Sequence, residues 1–143
     1  MSKEKILVIG ASGQIGSVLT DALRHTFGTS NVVASDIRES SHGDLFFEKL
    51  NVLDAGQLAG LVDKHQITQI YHLAAILSAK GEANPLGTWE FNMTGLFNVL
   101  EIAREKKLAK VFFPSSIAVF GKEIPRQNTP QNAVLLPTTV YGM

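Results

Sequence analysis

Three glycines at a spacing of three residues follow a short apolar run near the start of the chain. The run at residues 5–9 is rich in β-branched residues and predicts a strand buried on both faces. After Gly16, apolar residues recur at helical spacing and predict a helix over about residues 14–27. The glycines therefore fall on a strand-to-helix turn, the setting in which a glycine-rich loop binds phosphate.

Each glycine of this turn has a separate expected task. Gly10 allows the tight turn, Gly13 lets the backbone approach a pyrophosphate, and Gly16 lets the helix pack close to the strand. The N–H groups of Gln14 and Ile15 then point at the anionic oxygens, and the helix dipole adds to the attraction. The spacing alone fits a flexible turn equally well, but the flanking strand and helix favour a dinucleotide site.

A carboxylate lies where such a site needs one. Asp36 ends the second predicted strand, residues 31–35, and comes about 20 residues after Gly16. A carboxylate there accepts both ribose hydroxyls of an adenosine and repels a 2′-phosphate, which favours NAD over NADP. Arg38 is the opposing signal, because a nearby arginine tolerates that phosphate.

Composition excludes several other classes of protein. The chain has 143 residues, a formal net charge of zero and no cysteine. This charge balance gives no electrostatic case for nucleic acid or an anionic membrane, and the lack of cysteine excludes disulfides and thiolate zinc sites. No apolar run reaches the ~18 residues of a membrane span, so we expect one cytoplasmic domain without a signal peptide. The histidines show no paired spacing and predict no metal site: His25, His42, His65 and His72.

Strands and helices alternate along the remaining chain. Strands are predicted over residues 5–9, 31–35, 45–50, 69–73 and 110–113, and helices over about 14–27, 54–65 and 85–107. Loops are predicted over residues 37–44, 74–84 and 121–137, with Thr138 as the cap of a final helix. The alternation implies right-handed crossovers and a doubly wound, parallel α/β sheet of order 3-2-1-4-5. Residues that follow the strands should then line one crevice where the order reverses.

The long helix over residues 85–107 is apolar on two sides. The stripe expected to face the sheet consists of Trp89, Met93, Leu96, Leu100 and Ala103, whereas Phe91, Val99 and Ile102 lie off it. A helix with two apolar sides often meets a second partner. Two explanations stay open: a homodimer contact through this helix, or cover by a part of the chain outside this sequence.

Two hydroxyl side chains mark the other end of the predicted crevice. Ser116 follows the fifth strand, and Tyr141 lies on the last predicted helix. Such a pair can couple proton transfer to hydride transfer, because a phenolate accepts an alcohol proton while the serine holds the substrate oxygen. Ionising a tyrosine at neutral pH requires a nearby cation, and a lysine one helical turn on would lie beyond Met143. From the residues alone, a turn hydroxyl and a half-buried ring are the favoured explanation.

Taken together, these motifs are similar to those of one enzyme superfamily. The pattern Gly10-x-x-Gly13-x-x-Gly16, Asp36, Asn51-Val-Leu-Asp54, His72-Leu-Ala-Ala75, Asn92, Pro114-Ser-Ser116 and Tyr141-Gly142 resembles the extended short-chain dehydrogenase/reductases. Four further cues most resemble the L-threonine 3-dehydrogenases related to nucleotide-sugar epimerases: Ser35-Asp-Ile-Arg38, Ala74-Ala-Ile-Leu-Ser-Ala79 with Glu82-Ala-Asn84, Ser115-Ser-Ile-Ala-Val-Phe-Gly121 and Pro137-Thr-Thr-Val-Tyr-Gly142. The resemblance implies a Rossmann fold, NAD as cofactor, and oxidation of the threonine 3-hydroxyl to 2-amino-3-oxobutyrate.

The resemblance also implies a role for each matching residue. The cofactor contacts would be Gly10, Ala11, Ser12, Gly13, Gln14, Ile15 and Gly16 at the pyrophosphate, Asp36, Ile37 and Arg38 at the ribose, Asn51 and Val52 at adenine, and Leu73, Ala74 and Ala75 beneath the cofactor. Ser116 and Tyr141 would form the catalytic pair, with Tyr141 also touching the cofactor. Ser78 and Ser116 would contact an amino-acid substrate that carries a 3-hydroxyl.

The sequence departs from the family pattern in two respects. The lysine that should follow the tyrosine and the C-terminal substrate lobe both lie outside it. We therefore expect residues 1–143 to be the N-terminal part of a chain roughly twice as long, truncated before the last strands and inactive alone. A nucleotide-sugar epimerase or dehydratase of the same superfamily, and a non-catalytic NAD-sensing module, remain alternative functions.

Overall fold

Five parallel strands form one sheet in the order β3-β2-β1-β4-β5. The computed structural model describes residues 4–39 and 44–143. The strands are β1 (Ile6–Ile9), β2 (Val32–Asp36), β3 (Phe47–Lys49), β4 (Gln69–His72) and β5 (Lys110–Phe112). The α/β class and the strand order are confirmed. Residues 40–43 of the predicted loop, His42 among them, lie outside the described residues.

The strand order reverses at β1, which pairs with β2 on one side and β4 on the other. Ile9, the last residue of β1, lies opposite Ser35 in one neighbour and His72 in the other. Chain segments that leave β1 and β4 therefore diverge to opposite faces of the sheet. The gap between them is where ligands bind in sheets of this kind.

In the part of the chain that the structure describes, four α-helices connect the strands, and the second and fourth begin with a side-chain N-cap. They are α1 (Gln14–Phe27), α2 (Ala55–His65), α3 (Ser78–Gly81) and α4 (Pro85–Glu105). Asp54 accepts a hydrogen bond from the Gln57 amide at 2.8 Å, as its capping sequence predicts. Gly28 ends α1 with a φ of 90°, a conformation that favours glycine.

Helix α3 corrects the prediction of a continuous loop over residues 74–84. It is a single turn, closed by hydrogen bonds from the Gly81 amide to the Leu77 carbonyl and from the Glu82 amide to the Ser78 carbonyl. One turn is too short to show an apolar period in the sequence. Its tertiary contacts with α4, described below, hold it in place.

The core lies on both faces of the sheet because alternate residues of a strand point to opposite sides. Ile6 and Val8 of β1 pack toward α1, together with Leu23. Leu7 and Ile9 pack toward α2 and α4, and meet the second cluster of Val33, Leu50, Val52, Leu58, Leu61, Val62, Ile67, Ile70, Val99 and Ile102. The helices on both faces make the sheet doubly wound.

The predicted sheet-facing stripe of α4 is wrong. The buried residues of this helix are Thr88, Gly95, Val99 and Ile102, with Phe91 packed against the same cluster. Trp89 and Leu100 of the predicted stripe are each 45% exposed. Close approach explains the difference, because a Cβ on Gly95 would lie 3.0 Å from a methyl carbon of Val52. Small residues at Thr88 and Gly95 thus share the buried face with Val99 and Ile102, and they carry no apolar signal in the sequence.

The end of the chain forms a turn with a different cap from the predicted one. The Gly142 amide donates to the Thr139 carbonyl and to the Thr139 hydroxyl, each at 3.1 Å. Thr139, and not Thr138, therefore caps this turn. Residues 121–137 contain neither helix nor strand, as predicted.

Candidate cofactor-binding and active site

The turn after β1 is fixed to both neighbouring strands. Gly10 has a φ of 87°, a conformation that favours glycine, and its amide and that of Ala11 donate to the Ser35 carbonyl at 2.9 Å. A Cβ on Gly10 would lie 2.8 Å from the Ala74 nitrogen. The turn is thus held between the loops that follow β2 and β4.

Gly16 and Gly13 differ in the space around them. A Cβ on Gly16 would lie 2.1 Å from the Gly10 carbonyl oxygen, so the helix could not pack as it does with any larger residue. A Cβ on Gly13 would meet only that same oxygen, at 3.3 Å, and Gly13 borders the open cavity. No side chain caps α1 at Gly13. Its first-turn amides are consequently available to an anion from the cavity.

Asp36 is joined directly to the glycine turn. The Ser12 amide donates to Asp36 Oδ2 at 3.2 Å, while the Arg38 amide and Nε donate to Oδ1 at 3.1 and 3.2 Å. Burial disfavours the charged form, but the hydrogen bonds from Arg38 and Ser12 outweigh it and lower the pKa of Asp36. An ionised carboxylate therefore lies at the edge of the turn, and Arg38 already neutralises part of its charge.

The loop after β3 lies beside this carboxylate. The Leu50 amide donates to the Asp36 carbonyl at 2.9 Å, which places Asn51 and Val52 next along the same edge of the sheet. Asn51 is exposed, whereas Val52 is buried. The Asn98 side chain of α4 donates to the Val52 carbonyl at 2.9 Å and holds this loop from behind.

A cavity of about 570 Å³ extends from the glycine turn across the ends of β4 and β5. This volume lies in the range typical of small-molecule sites. Of the residues predicted for the site, those that line it are Gly10, Gly13, Gln14, Ile15, Gly16, Leu73, Ala74, Ala75, Ser116 and Tyr141. The others lie outside it: Ala11, Ser12, Asp36, Ile37, Arg38, Asn51, Val52 and Ser78. A more open hollow of about 650 Å³ between α3 and α4 contains none of the predicted site residues.

Ser116 and Tyr141 face the same cavity from two turns. Ser116 Oγ accepts a hydrogen bond from the Ala118 amide at 3.2 Å and caps the short 3-10 helix Ile117–Val119. Its hydroxyl proton remains available to a ligand. Tyr141 is half-buried. Ser78 is exposed at the start of α3, and its neighbour Leu77 lines the cavity.

His72 is a cavity residue to which the sequence reasoning gave no site role. It is 1% exposed, its ring stacks on Phe113 at 5.6 Å, and burial lowers its pKa to about 4. Within the described part of the chain, its Nδ1 has no hydrogen-bond partner. The motif His72-Leu-Ala-Ala75 is the sequence feature that could have placed His72 at the cavity. The imidazole is therefore neutral at physiological pH.

Asn92 clamps the loop that follows β4. Its side chain accepts from the Ile76 amide at 2.8 Å and donates to the Ile76 carbonyl at 3.1 Å. Large apolar residues that were not predicted for the site also line the cavity, among them Trp89, Met93, Leu96 and Phe113. They give the cavity an apolar wall.

Residues 4–39 and 44–143 offer neither a clustered metal site nor a membrane-spanning helix. These residues contain no group of three or more histidine, cysteine or acidic side chains arranged to hold a metal ion. They also contain no helix long and apolar enough to cross a membrane.

These features fit a dinucleotide. Gly13 leaves open space beside uncapped amides, Asp36 provides an ionised acceptor joined to that turn, and the cavity continues toward Ser116 and Tyr141. A pyrophosphate needs uncapped amides beside open space, and a ribose needs a carboxylate acceptor. A nicotinamide-sized ring needs the cavity.

Known proteins of two kinds are similar to this chain. An uncharacterized epimerase/dehydratase of Staphylococcus saprophyticus is 45% identical over 98% of the chain. A GalE-like L-threonine dehydrogenase from Cupriavidus necator, in its holo form, is 53% identical over 96% of the chain with a TM-score of 0.93. The L-threonine dehydrogenase of Clostridium difficile is 44% identical over 99% with a TM-score of 0.92.

The chain covers 45% of the Staphylococcus saprophyticus protein, 45% of the Cupriavidus necator chain and 46% of the Clostridium difficile chain. It therefore spans somewhat less than half the length of these relatives. Residues 6–143 match the profile of the NAD dependent epimerase/dehydratase family. This match covers nearly the whole chain and agrees with the fold and with the dinucleotide site. The chain belongs to the NAD-dependent epimerase/dehydratase family, and its cofactor is NAD.

Proposed function

We propose that the full-length protein is an oxidoreductase that converts L-threonine to 2-amino-3-oxobutyrate, a step of threonine catabolism. The observation that carries this proposal is that Ser116 and Tyr141 line the same cavity as the glycine turn. The similarity to two L-threonine dehydrogenases over nearly the whole chain supports the choice of substrate.

The residues of the cavity supply the proton transfer and the orientation. NAD, held by the glycine turn, would supply the acceptor for the hydride that leaves C3 of threonine. The Tyr141 phenolate takes the proton of the 3-hydroxyl, so that the C–O bond becomes a carbonyl. The Ser116 hydroxyl donates a hydrogen bond to the same oxygen and keeps its proton, since its Oγ already accepts a hydrogen bond from the Ala118 amide. Ser78 contacts the substrate from the start of α3.

We assign the remaining predicted residues to the cofactor. Residues 10–16 hold the pyrophosphate, Asp36 to Arg38 the adenosine ribose, and Asn51 with Val52 the adenine, while Leu73 to Ala75 lie beneath the cofactor. On this proposal residues 1–143 form the NAD-binding unit of the protein. The hydrogen bond from Ser12 to Asp36 supports the ribose assignment, because it sets the carboxylate next to the pyrophosphate turn.

The test is threonine-dependent formation of NADH by the full-length protein and two tyrosine variants. Tyr141→Phe should lower kcat by about 10²- to 10⁴-fold, the usual contribution of a general base. Tyr71→Phe is the matched control: Tyr71 lies on β4 against Phe112, away from the cavity lining, and should leave kcat unchanged. An undiminished rate in Tyr141→Phe would remove the proposed base.

A second candidate is an epimerase or dehydratase that acts on a nucleotide sugar. The matching family profile and the Staphylococcus saprophyticus relative both carry that name. A panel of UDP-sugars tested beside threonine separates the two. Conversion of a UDP-sugar without NADH formation from threonine favours the second candidate, and NAD binding without any turnover favours an NAD-sensing module.

We also propose a homodimer that forms through α4. Phe97 is 58% exposed and Leu100 45% exposed, and neither lines the cavity. Phe97→Glu should convert a dimer to a monomer in sedimentation, because burying a charge without a partner is costly. Leu45→Glu, at an exposed position before β3, is the control and should not change the sedimentation. If another part of the same protein covers α4, the protein should be a monomer before and after either change.

The cytoplasmic location of the protein stays a prediction.

A further inference from the structure

A carboxylate on one loop holds the backbone beside Tyr141. Glu82 Oε1 accepts a hydrogen bond from the Val140 amide at 2.9 Å, although the two residues are 58 positions apart in the chain. Val140 immediately precedes Tyr141, and both line the cavity. A hydrogen bond from an amide to an ionised carboxylate is stronger than one between neutral groups.

Glu82 is itself held on a fixed base. It directly follows α3, and its amide closes that turn by donating to the Ser78 carbonyl at 3.0 Å. The Thr88 hydroxyl of α4 donates to the Gly81 carbonyl at 3.2 Å, and a Cβ on Gly81 would lie 3.0 Å from the Thr88 methyl. Asn92 clamps Ile76 at the other end of the same loop. Both sides of α3 are thus attached to one long helix.

The far side of Tyr141 is held by the turn that carries Ser116. A Cβ on Gly142 would lie 2.2 Å from the Ala118 carbonyl oxygen, so these two backbones are in close contact. The Ala118 amide in turn donates to Ser116 Oγ. Tyr141 therefore sits between two attachments, one to Ala118 through Gly142 and one to Glu82 through Val140.

We propose that Glu82 is a positioning residue for Tyr141. Its carboxylate fixes the Val140 peptide, which sets the direction of the Tyr141 phenol in the cavity. It also connects the segment that carries Tyr141 to α3, which begins at Ser78. The distance between the proposed substrate contact Ser78 and the proposed base Tyr141 is thereby fixed. The catalytic part of this proposal rests on the proposed function, whereas the contact itself does not.

Two substitutions at Glu82 separate positioning from charge. Glu82→Ala removes the acceptor, whereas Glu82→Gln keeps a carbonyl oxygen that can accept from the same amide. In the full-length protein, Glu82→Ala should lower kcat for threonine by about tenfold and leave the NAD dissociation constant within about twofold. Glu82→Gln should recover most of that loss. Glu90→Ala, which removes an exposed carboxylate from α4, is the control and should match the wild type.

A second readout works without turnover. Tyrosine labelled for nuclear magnetic resonance, with the Tyr141 signal assigned by its loss in Tyr141→Phe, reports the ring environment directly. Glu82→Ala should shift or broaden the Tyr141 signal and leave that of Tyr71 in place, and the Val140 amide should exchange its hydrogen faster. Glu82→Gln should restore both. A Glu82→Ala protein that keeps the Tyr71 signal is folded, so these changes are then local.

Each outcome decides the proposal. An unchanged Tyr141 signal in Glu82→Ala, or a full kcat in that variant, overturns it. A Glu82→Gln variant that loses as much kcat as Glu82→Ala while its Val140 amide stays protected also overturns the proposal. The charge of Glu82, and not the hydrogen bond to Val140, would then be what matters. If the wild type forms no NADH from threonine, the proposed function fails and the Tyr141 signal still tests the contact. If Glu82→Ala does not fold, hydrogen exchange of the Val140 amide in the wild type tests it, because an unprotected amide would overturn the proposal and a protected one supports it.

Discussion

Gly16 lies where the first helix and the strand-to-helix turn come closest. An added Cβ would sit 2.1 Å from the Gly10 oxygen and 2.8 Å from the Ala11 Cα, both of them backbone atoms that cannot rotate away. We predict that Gly16→Ala lowers the free energy of unfolding by about 3 kcal/mol, as overpacking a tight site does. Urea unfolding of the full-length protein measures this change.

Gly60 provides the matched control for that substitution. It lies in α2, and no atom lies within 4 Å of the position that its Cβ would take. Gly60→Ala should raise the free energy of unfolding by up to ~1 kcal/mol, because alanine has the higher helix propensity. Equal stability of Gly16→Ala and the wild type would contradict the close packing described for α1.

His72 should make the stability of the protein depend on pH. Burial lowers its pKa from 6.5 to about 4, so between these values the unfolded chain binds a proton that the native chain does not. The free energy of unfolding therefore falls as the pH drops from 6.5 toward 4, by about 3 kcal/mol in total. Urea unfolding over this pH range measures the slope.

His72→Leu removes this titrating group and should flatten the slope between pH 4 and 6.5. His25→Gln, which changes an exposed histidine of α1, should keep the slope of the wild type. A slope that persists in His72→Leu would show that other groups cause the pH dependence. The carboxyl of Glu48 acts at lower pH: burial raises its pKa, but hydrogen bonds from Lys64 and His65 outweigh this and lower the pKa from 4.5, so its own effect lies below pH 4.5.

Helix α4 holds the loops at both ends of the site. Asn92 clamps the loop after β4, and Asn98 donates to the Val52 carbonyl after β3. Gly95 lies between them and lets the helix approach Val52. One rigid element thus sets the distance between the proposed adenine loop and the loop that leads to Ser78.

We predict that Asn98→Ala weakens binding at the adenine end. Loss of one hydrogen bond of about 1 kcal/mol should raise the dissociation constant of ADP-ribose about fivefold. Nicotinamide mononucleotide lacks the adenine and should bind as in the wild type. Calorimetric titration of the two ligands makes the comparison, and an equal effect on both would refute a local role for Asn98.

The length of α4 could be predicted from its sequence, but its orientation could not. Pro85 after Asn84 marks the start of the helix, because these residues have strong local preferences at a helix N-terminus. The buried face depends on which residues are small enough to allow close approach, and Thr88 and Gly95 carry no apolar signal. Because α4 has apolar residues on two sides, the sequence favoured the side with Trp89, Met93 and Leu96 as the one that faces the sheet.

The shape of the site was predictable only where a local motif determines it. The glycine turn and Asp36 follow from a pattern with a known backbone geometry, and their connection through Ser12 agrees with it. The apolar cavity wall of Met93, Leu96 and Phe113 depends on how α4 and β5 pack. The bond from Val140 to Glu82 joins distant segments, and a single such contact leaves no periodic trace in a sequence.

At the scale of the whole molecule, the strand order brings the site together. Because the order reverses at β1, the turns after β1, β4 and β5 open onto one cavity, and the loops after β2 and β3 lie outside it along the same edge of the sheet. Residues from Gly10 to Tyr141 thereby meet although most of the chain separates them. This arrangement supports the proposal that a dinucleotide extends from Asp36, at its ribose, to Ser116 and Tyr141, at its reactive ring.

We propose that NAD lies on the glycine turn with its adenosine ribose on Asp36. Calorimetric titration of NAD into the full-length protein and its Asp36→Ala variant tests this placement, with Asp63→Ala on α2 as the control. We expect a dissociation constant raised about 10- to 100-fold in Asp36→Ala, because two hydrogen bonds from ribose hydroxyls to a carboxylate are lost, and no change in Asp63→Ala. Equal NAD affinity in Asp36→Ala and the wild type would contradict it.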